Sequence, residues 1–130
     1  MEEPSLPPPI RLVCVGAHRT LALQLLEQLK PHYTYCAILT TVEPTRTYSP
    51  GNLNLVLDAL HPAPAGVIVG GAFSDEEGEE IAKLVATKKT ESGAPMEFIK
   101  VPTGTIEGEG PAGLLRKVKE LLYEKFGRQC

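Results

Sequence analysis

The stretch of residues 11–29 reads RLVCVGAHRTLALQLLEQL, and it decides the fold. Its first part, residues 11–16, is a short apolar run that ends in glycine. Such a run is too short for a helix and is typical of a strand that is buried on both faces. Over residues 21–29 the apolar side chains recur at helical spacing, and Pro31 follows. The stretch therefore predicts a strand, a short loop and an amphipathic helix.

The same unit recurs along the rest of the chain. Further strands are predicted at residues 35–42, 65–73 and 96–101. Two helix starts carry their own signals, which are Ser49-Pro50 and the capping box formed by Ser74 and Glu77. Residues 104–110 are rich in glycine and predict a flexible loop, and a final helix follows with an apolar stripe. The alternation of strands and helices implies a mostly parallel sheet with right-handed crossovers.

We expect a small three-layer α/β/α domain with a four-stranded parallel sheet, in the order 2-1-3-4 and of Rossmann-like or flavodoxin-like type. The first and last helices should cover one face of the sheet and the other two helices the opposite face. The fourth strand carries Glu97 and Lys100 and is expected at an edge. Residues 1–9 are rich in proline and are expected to form a disordered tail, with residues 10–130 as a single domain.

Composition narrows the set of partners. The chain has 130 residues, a net charge of −3, 5% aromatic residues and no tryptophan. This composition argues against nucleic acid and anionic membranes as partners, and no apolar run approaches the length of a membrane span. The three cysteines show no C-x-x-C spacing, and the chain begins with an acidic, proline-rich segment. We therefore expect a reducing, cytoplasmic setting.

A ligand of such a fold is expected in the crevice beyond the carboxyl ends of the strands, where the winding of the chain reverses. In the predicted order this point lies between strands 1 and 3. The glycines at these strand ends, Gly16, Gly70 and Gly71, would let a backbone approach a ligand closely. They would equally serve to make tight turns from strand to helix, and the sequence alone leaves both interpretations open.

The charges around this rim are asymmetric. The first two loops carry His18, Arg19, Glu43 and Arg46. In the third and fourth loops, by contrast, all the charged residues are acidic. Because a phosphate favours a helix N-terminus with basic neighbours, we expect a small phosphorylated ligand at residues 17–20, with Arg19 or Arg46 as its counter-ion. The alternative is a solvated pattern in which acidic residues simply favour helix starts. The predicted binding residues are Gly16, Ala17, His18, Arg19, Thr20, Thr41, Glu43, Arg46, Gly70, Gly71 and Thr103.

The first unit resembles the opening of NAD(P)-binding Rossmann domains. It has a strand, Gly16, a short loop and a helix, and Glu43 stands near the place of the ribose-binding acid. The resemblance implies NAD(P) or another nucleotide as cofactor. Of the three glycines in the fingerprint G-x-G-x-x-G, only the first is present. The alternation also resembles flavodoxin and response-regulator domains, although Val69-Gly70-Gly71 replaces the aspartate that a response regulator phosphorylates.

The chain as a whole is similar to a group of short fungal proteins of uncharacterised activity. The resemblance rests on Arg11-Leu12 with Val15-Gly16-Ala17, on residues 48–53 (YSPGNL) and on residues 66–71 (GVIVGG). It implies a Rossmann-like fold and a cytosolic setting, and it brings no activity with it.

Three functions are compatible with this sequence. The first is a module that binds a nucleotide or another phosphorylated small molecule at the rim. The second is a non-catalytic assembly protein that forms a homodimer through the exposed edge of strand 4. The third is an NAD(P)-dependent enzyme that would use His18, Arg19, Glu43 and Tyr48. No known catalytic constellation and no zinc-ligand spacing is present in the sequence.

Overall fold

The computed structural model describes residues 8–17, 19–41, 47–102 and 105–127. The elements in chain order are β1 (Ile10–Gly16), α1 (Arg19–Leu29), β2 (Tyr33–Thr40), α2 (Pro50–Ala59), β3 (Gly66–Val69), α3 (Asp75–Val85), β4 (Glu97–Lys100) and α4 (Thr105–Phe126). All strand pairs are parallel, and the sheet has the order β2-β1-β3-β4. The predicted fold class and strand order are therefore confirmed.

The alternation of side chains along β1 divides the core into two layers. Leu12 and Cys14 point to the face that α1 and α4 cover, while Val13 and Val15 point to the face of α2 and α3. All four side chains are buried. This double burial is the reason why β1 is an uninterrupted apolar run, as the sequence predicts.

Side chains cap the starts of both helices on the second face. Ser49 Oγ accepts a hydrogen bond of 3.0 Å from the N–H of Asn52, with Pro50 at the first helical position. At α3 the two hydrogen bonds of a capping box link Ser74 and Glu77, with lengths of 3.0 Å and 3.2 Å. Both predicted helix starts are therefore confirmed.

The structure corrects two predicted segments. The third strand ends at Val69 instead of continuing to residue 73, because the chain turns at Gly70 and Gly71. The predicted loop at residues 104–110 is wrong from residue 105 onward, since α4 begins there. α4 is interrupted at Gly110, whose φ of 72° and ψ of −175° only glycine adopts readily. Gly110 therefore kinks α4 at one residue, and the backbone is helical on both sides of it.

The fourth strand lies at an edge of the sheet, as the sequence predicts. β4 lies at one edge, where Lys125 Nζ is 3.7 Å from a carboxylate oxygen of Glu97. Of the predicted tail, only Pro8 and Pro9 belong to the described ranges. Within the ranges given above, no helix combines the length and the apolar character needed to cross a membrane.

Candidate functional site

A pocket of about 250 Å³ opens between the carboxyl ends of β1 and β3, beside α1 and α4. This is the point at which the winding of the sheet reverses, where open α/β sheets bind their ligands. The strands and the loops after them contribute Cys14, Val15, Gly16, Ala17, Ile68, Gly70, Gly71 and Ala72. The helices contribute Leu21, Ala22 and Leu114. Among the described residues, the side chains that line the pocket are apolar apart from the Cys14 thiol.

The pocket exists because two glycines stand where the side-chain layer would continue. Along β1 the side chains that face α1 and α4 are Leu12 and Cys14, and the next position of that face is Gly16. On β3 the corresponding position after Ile68 is Gly70. A Cβ atom built on the buried Gly16 meets no atom within 4 Å, and one built on Gly70 meets none closer than 3.6 Å. The missing side chains therefore leave this part of the layer empty.

The three glycines of the rim do not share one role. None of Gly16, Gly70 and Gly71 has a positive φ, so no turn conformation demands glycine there. A Cβ atom on Gly71 would lie 2.8 Å from the carbonyl oxygen of Pro102, which real packing does not tolerate. Gly71 is thus required by close packing of the backbone, whereas Gly16 is required by no neighbour. Of the two interpretations that the sequence leaves open, the structural one holds for Gly71, and neither turn conformation nor close packing explains Gly16.

Three of the residues that line the pocket have backbone N–H groups without a partner in the described chain. The N–H groups of Ala17, Gly71 and Ala72, which all line it, donate no hydrogen bond within the described part of the chain. By contrast, the N–H of Gly70 donates to the carbonyl oxygen of Val15 at 2.8 Å. Backbone N–H groups normally find an acceptor, in the protein or in solvent. The two loops at this pocket therefore contain N–H groups that are not committed to another described residue.

The one polar side chain among the described wall residues, that of Cys14, is neutral at physiological pH. Burial raises the pKa of the Cys14 thiol to about 12, although the neighbouring Tyr35 hydroxyl acts in the opposite direction. The Tyr35 hydroxyl is itself inaccessible to solvent and has no hydrogen-bond partner of standard geometry in the structure. Burial first and the Cys14 thiol second raise the pKa of Tyr35. Neither group is a ready nucleophile or base.

The structure brings together part of the predicted site. Gly16, Ala17, Gly70 and Gly71 line the pocket. Arg19 and Thr20 lie on the exposed first turn of α1 without lining it, and the N–H of Thr41 donates to the carbonyl oxygen of Gly16 at 3.2 Å. His18, Glu43, Arg46 and Thr103 lie outside the described residues.

Tyr48, which the enzyme hypothesis invokes, packs elsewhere. Its ring meets Phe73 edge-on with 5.3 Å between the ring centroids, and both side chains belong to the layer beneath α2 and α3. The pocket opens in the opposite layer. Tyr48 therefore has a packing role, with no part in lining the pocket.

The predicted binding residues do not include the rest of the pocket lining, which consists of Cys14, Val15, Leu21, Ala22, Ile68, Ala72 and Leu114. Most of them fit the pattern of ordinary core positions. One sequence signal could have revealed the pocket. In two neighbouring strands a buried residue is followed two positions later by glycine, in the pairs Cys14 and Gly16, and Ile68 and Gly70. In each pair, glycine replaces the next side chain of a buried face by a hydrogen atom.

Comparison with protein-family models, with curated proteins and with solved structures gives no match for this chain. The likeness to short fungal proteins stays a prediction. Among the residues that the structure describes, no three His, Cys, Asp or Glu side chains come together in a group that could hold a metal ion.

Proposed function

We propose that this protein binds a small molecule in the pocket between β1 and β3, with an apolar part inside and an acceptor-rich group, such as a phosphate, at the mouth. The observation that carries the proposal is the open space at Gly16. A buried strand position with no neighbour within 4 Å of its missing Cβ is unusual in close-packed interiors. The location of this space at the end of the strand supports a pocket for a ligand better than it supports an accidental void in the core.

The size of the pocket limits the ligand. Sites for drug-sized molecules usually measure about 300–1,000 Å³. A pocket of about 250 Å³ takes one ring system or a group of similar size, with the remainder of the ligand outside. This size supports a mononucleotide or a phosphorylated metabolite better than it supports full enclosure of a dinucleotide such as NAD(P).

The donors at the mouth support an anionic group. Ala17, Gly71 and Ala72 contribute N–H groups that have no partner in the described part of the chain. The first turn of α1, which starts at Arg19, carries no acidic residue, so the positive end of its helix dipole is not compensated there. The first turn of α3 differs, because it is acidic and its start is already capped.

The two alternative functions have weaker support. Pairing of two chains through β4 would use a strand of only four residues. Both of its charged side chains are engaged, Glu97 with Lys125 and Lys100 Nζ with the carbonyl oxygen of Val101 at 2.6 Å. Charged residues on a short edge strand are a common protection against edge pairing. For an enzymatic role, the described residues of the pocket supply no combination of acid, base and nucleophile.

A matched pair of glycine variants tests the proposal. Gly16→Val fills the pocket, whereas Gly51→Ala adds a side chain at the exposed start of α2, where a Cβ atom also meets nothing within 4 Å. Binding of AMP, ribose 5-phosphate, NAD and inorganic phosphate is measured by calorimetry, and native mass spectrometry examines the purified protein for a bound molecule. We expect a ligand that binds the wild type and Gly51→Ala but not Gly16→Val. Equal binding by both variants, or no ligand in either assay, overturns the proposal.

A further inference from the structure

Two polar side chains interrupt the apolar layer beneath the pocket. Cys14 and Tyr35 lie on the neighbouring strands β1 and β2, on the face that α1 and α4 cover. Tyr35 pairs with Leu12, so it stands one layer below Cys14, and its hydroxyl interacts with the Cys14 thiol. Of the two residues only Cys14 reaches the wall of the pocket. A buried polar pair in this position needs an explanation, because phenylalanine and an aliphatic residue would fill the same space.

The Tyr35 hydroxyl and the Cys14 thiol are neighbours within this layer. The hydroxyl of Tyr35 stabilises the thiolate form of Cys14, and the thiol disfavours the phenolate form of Tyr35. Both effects require the hydroxyl and the sulfur to lie next to each other. The contact falls short of hydrogen-bond geometry, so the buried hydroxyl makes no hydrogen bond of standard geometry with any described residue. The Cys14 thiol donates no hydrogen bond within the described part of the chain, and its own S–H is available to the pocket.

We infer that the Cys14 thiol recognises a hydrogen-bond acceptor on the ligand, namely a ring nitrogen or a carbonyl oxygen of an uncharged heterocycle, and that Tyr35 is the positioning residue that orients the thiol. The inference rests on the proposed function, because it requires the apolar part of the ligand to enter the pocket. An uncharged ring fits the surroundings, since none of the described residues that line this pocket is charged and an unpaired buried charge is strongly disfavoured.

The first test compares a ligand that has a ring with one that lacks it. AMP and ribose 5-phosphate are titrated into the wild type and into Cys14→Ala, Cys14→Ser and Tyr35→Phe. The control is Cys36→Ala, which removes a thiol that donates to the carbonyl oxygen of Leu12 at 3.4 Å, away from the pocket. We expect Cys14→Ala to weaken the affinity for AMP about tenfold and Tyr35→Phe to weaken it about threefold. These changes are of the size expected for one weak hydrogen bond. Cys14→Ser and Cys36→Ala should retain binding, and the affinity for ribose 5-phosphate should not change in any variant.

The second test needs no ligand. Iodoacetamide, a small neutral electrophile, is reacted with the wild type, and the mass of the peptide containing Cys14 is followed over time at alkaline pH. Tyr35→Phe should slow the alkylation of Cys14, because the hydroxyl favours the thiolate. Gly16→Val should block it by closing the pocket, and Gly51→Ala should leave it unchanged.

The outcomes separate the two proposals. If AMP binds but Cys14→Ala and Tyr35→Phe leave its affinity unchanged, the role of the thiol is wrong and the proposed function stands. Alkylation that neither Tyr35→Phe nor Gly16→Val alters also contradicts the inference. If none of the probes binds the wild type, the proposed function fails and the inference fails with it.

Discussion

The Cα atom of Gly16 lies 3.6 Å from the point that a Cβ atom on Gly70 would occupy. The two glycines face each other at the carboxyl ends of adjacent parallel strands, in the side-chain layer that Cys14 and Ile68 begin. Each glycine removes one side chain from that layer, and together they open it at the point where the sheet reverses its winding. The candidate site is therefore encoded by the absence of two side chains.

Alanine at Gly71 and at Gly16 should have opposite effects on stability. Gly71→Ala places a Cβ atom 2.8 Å from the Pro102 carbonyl oxygen and should lower the free energy of unfolding by about 1–3 kcal/mol. Gly16→Ala meets no atom within 4 Å and reduces the freedom of the unfolded chain, so it should be neutral or gain up to about 1 kcal/mol. Urea unfolding followed by circular dichroism measures both. A loss in Gly16→Ala as large as that in Gly71→Ala contradicts the open space at this position.

Removing the buried hydroxyl of Tyr35 should not destabilise the free protein. Its oxygen is buried and makes no hydrogen bond of standard geometry with a described residue, and a buried hydroxyl without such a bond opposes folding. Tyr35→Phe should therefore keep the melting temperature or raise it, with a gain of up to about 1 kcal/mol. Tyr123→Phe, on the exposed side of α4, is the neutral control. A clear drop in the melting temperature of Tyr35→Phe would mean that the hydroxyl has a partner in the folded protein.

Stability should fall above pH 9. Burial raises the pKa of Cys14 from 9.0 to about 12, so the folded protein keeps a proton that the unfolded chain loses in this interval. The stabilising contribution is complete below pH 9 and is lost as the pH rises towards the folded value. Cys14→Ala removes the titrating group, so its free energy of unfolding should depend less steeply on pH in this range. Denaturation curves at a series of alkaline pH values measure the two slopes, and equal slopes argue against a buried thiol.

The capping box at α3 should contribute measurably to the free energy of unfolding. Ser74→Ala removes the acceptor for the N–H of Glu77 and should cost about 1 kcal/mol, within the usual range for an N-cap. Ser92→Ala, in the exposed loop before β4, should cost less than half as much. Chemical denaturation of the two variants decides the point. Equal losses would mean that the box makes no specific contribution.

The architecture could be predicted because its signals are local and repeated. The apolar run of β1, the helix starts at Ser49 and Ser74 and the strict alternation of elements determine the order 2-1-3-4 once right-handed crossovers are assumed. The segment before Gly110 could not be predicted as helix, because glycine-rich composition also describes a loop.

The candidate site was only partly predictable. Strand-end glycines mark the rim, but the sequence alone does not tell Gly16, which faces empty space, from Gly71, which packs on Pro102. That difference depends on which segment lies opposite, and only the three-dimensional fold supplies it. The wall residues were missed for a related reason, since Cys14 and Leu114 have the same apolar character whether they face another side chain or a cavity.

The most direct measurement is a titration of isotopically labelled protein with AMP, followed through the backbone amide resonances by NMR. A ligand that enters the pocket and places its phosphate at the mouth should shift the amide resonances of Ala17, Gly71 and Ala72, whose N–H groups have no partner within the described residues. The same titration of Gly16→Val should leave them unshifted. Shifts confined to other parts of the fold, or none at saturating AMP, would contradict a binding site between β1 and β3.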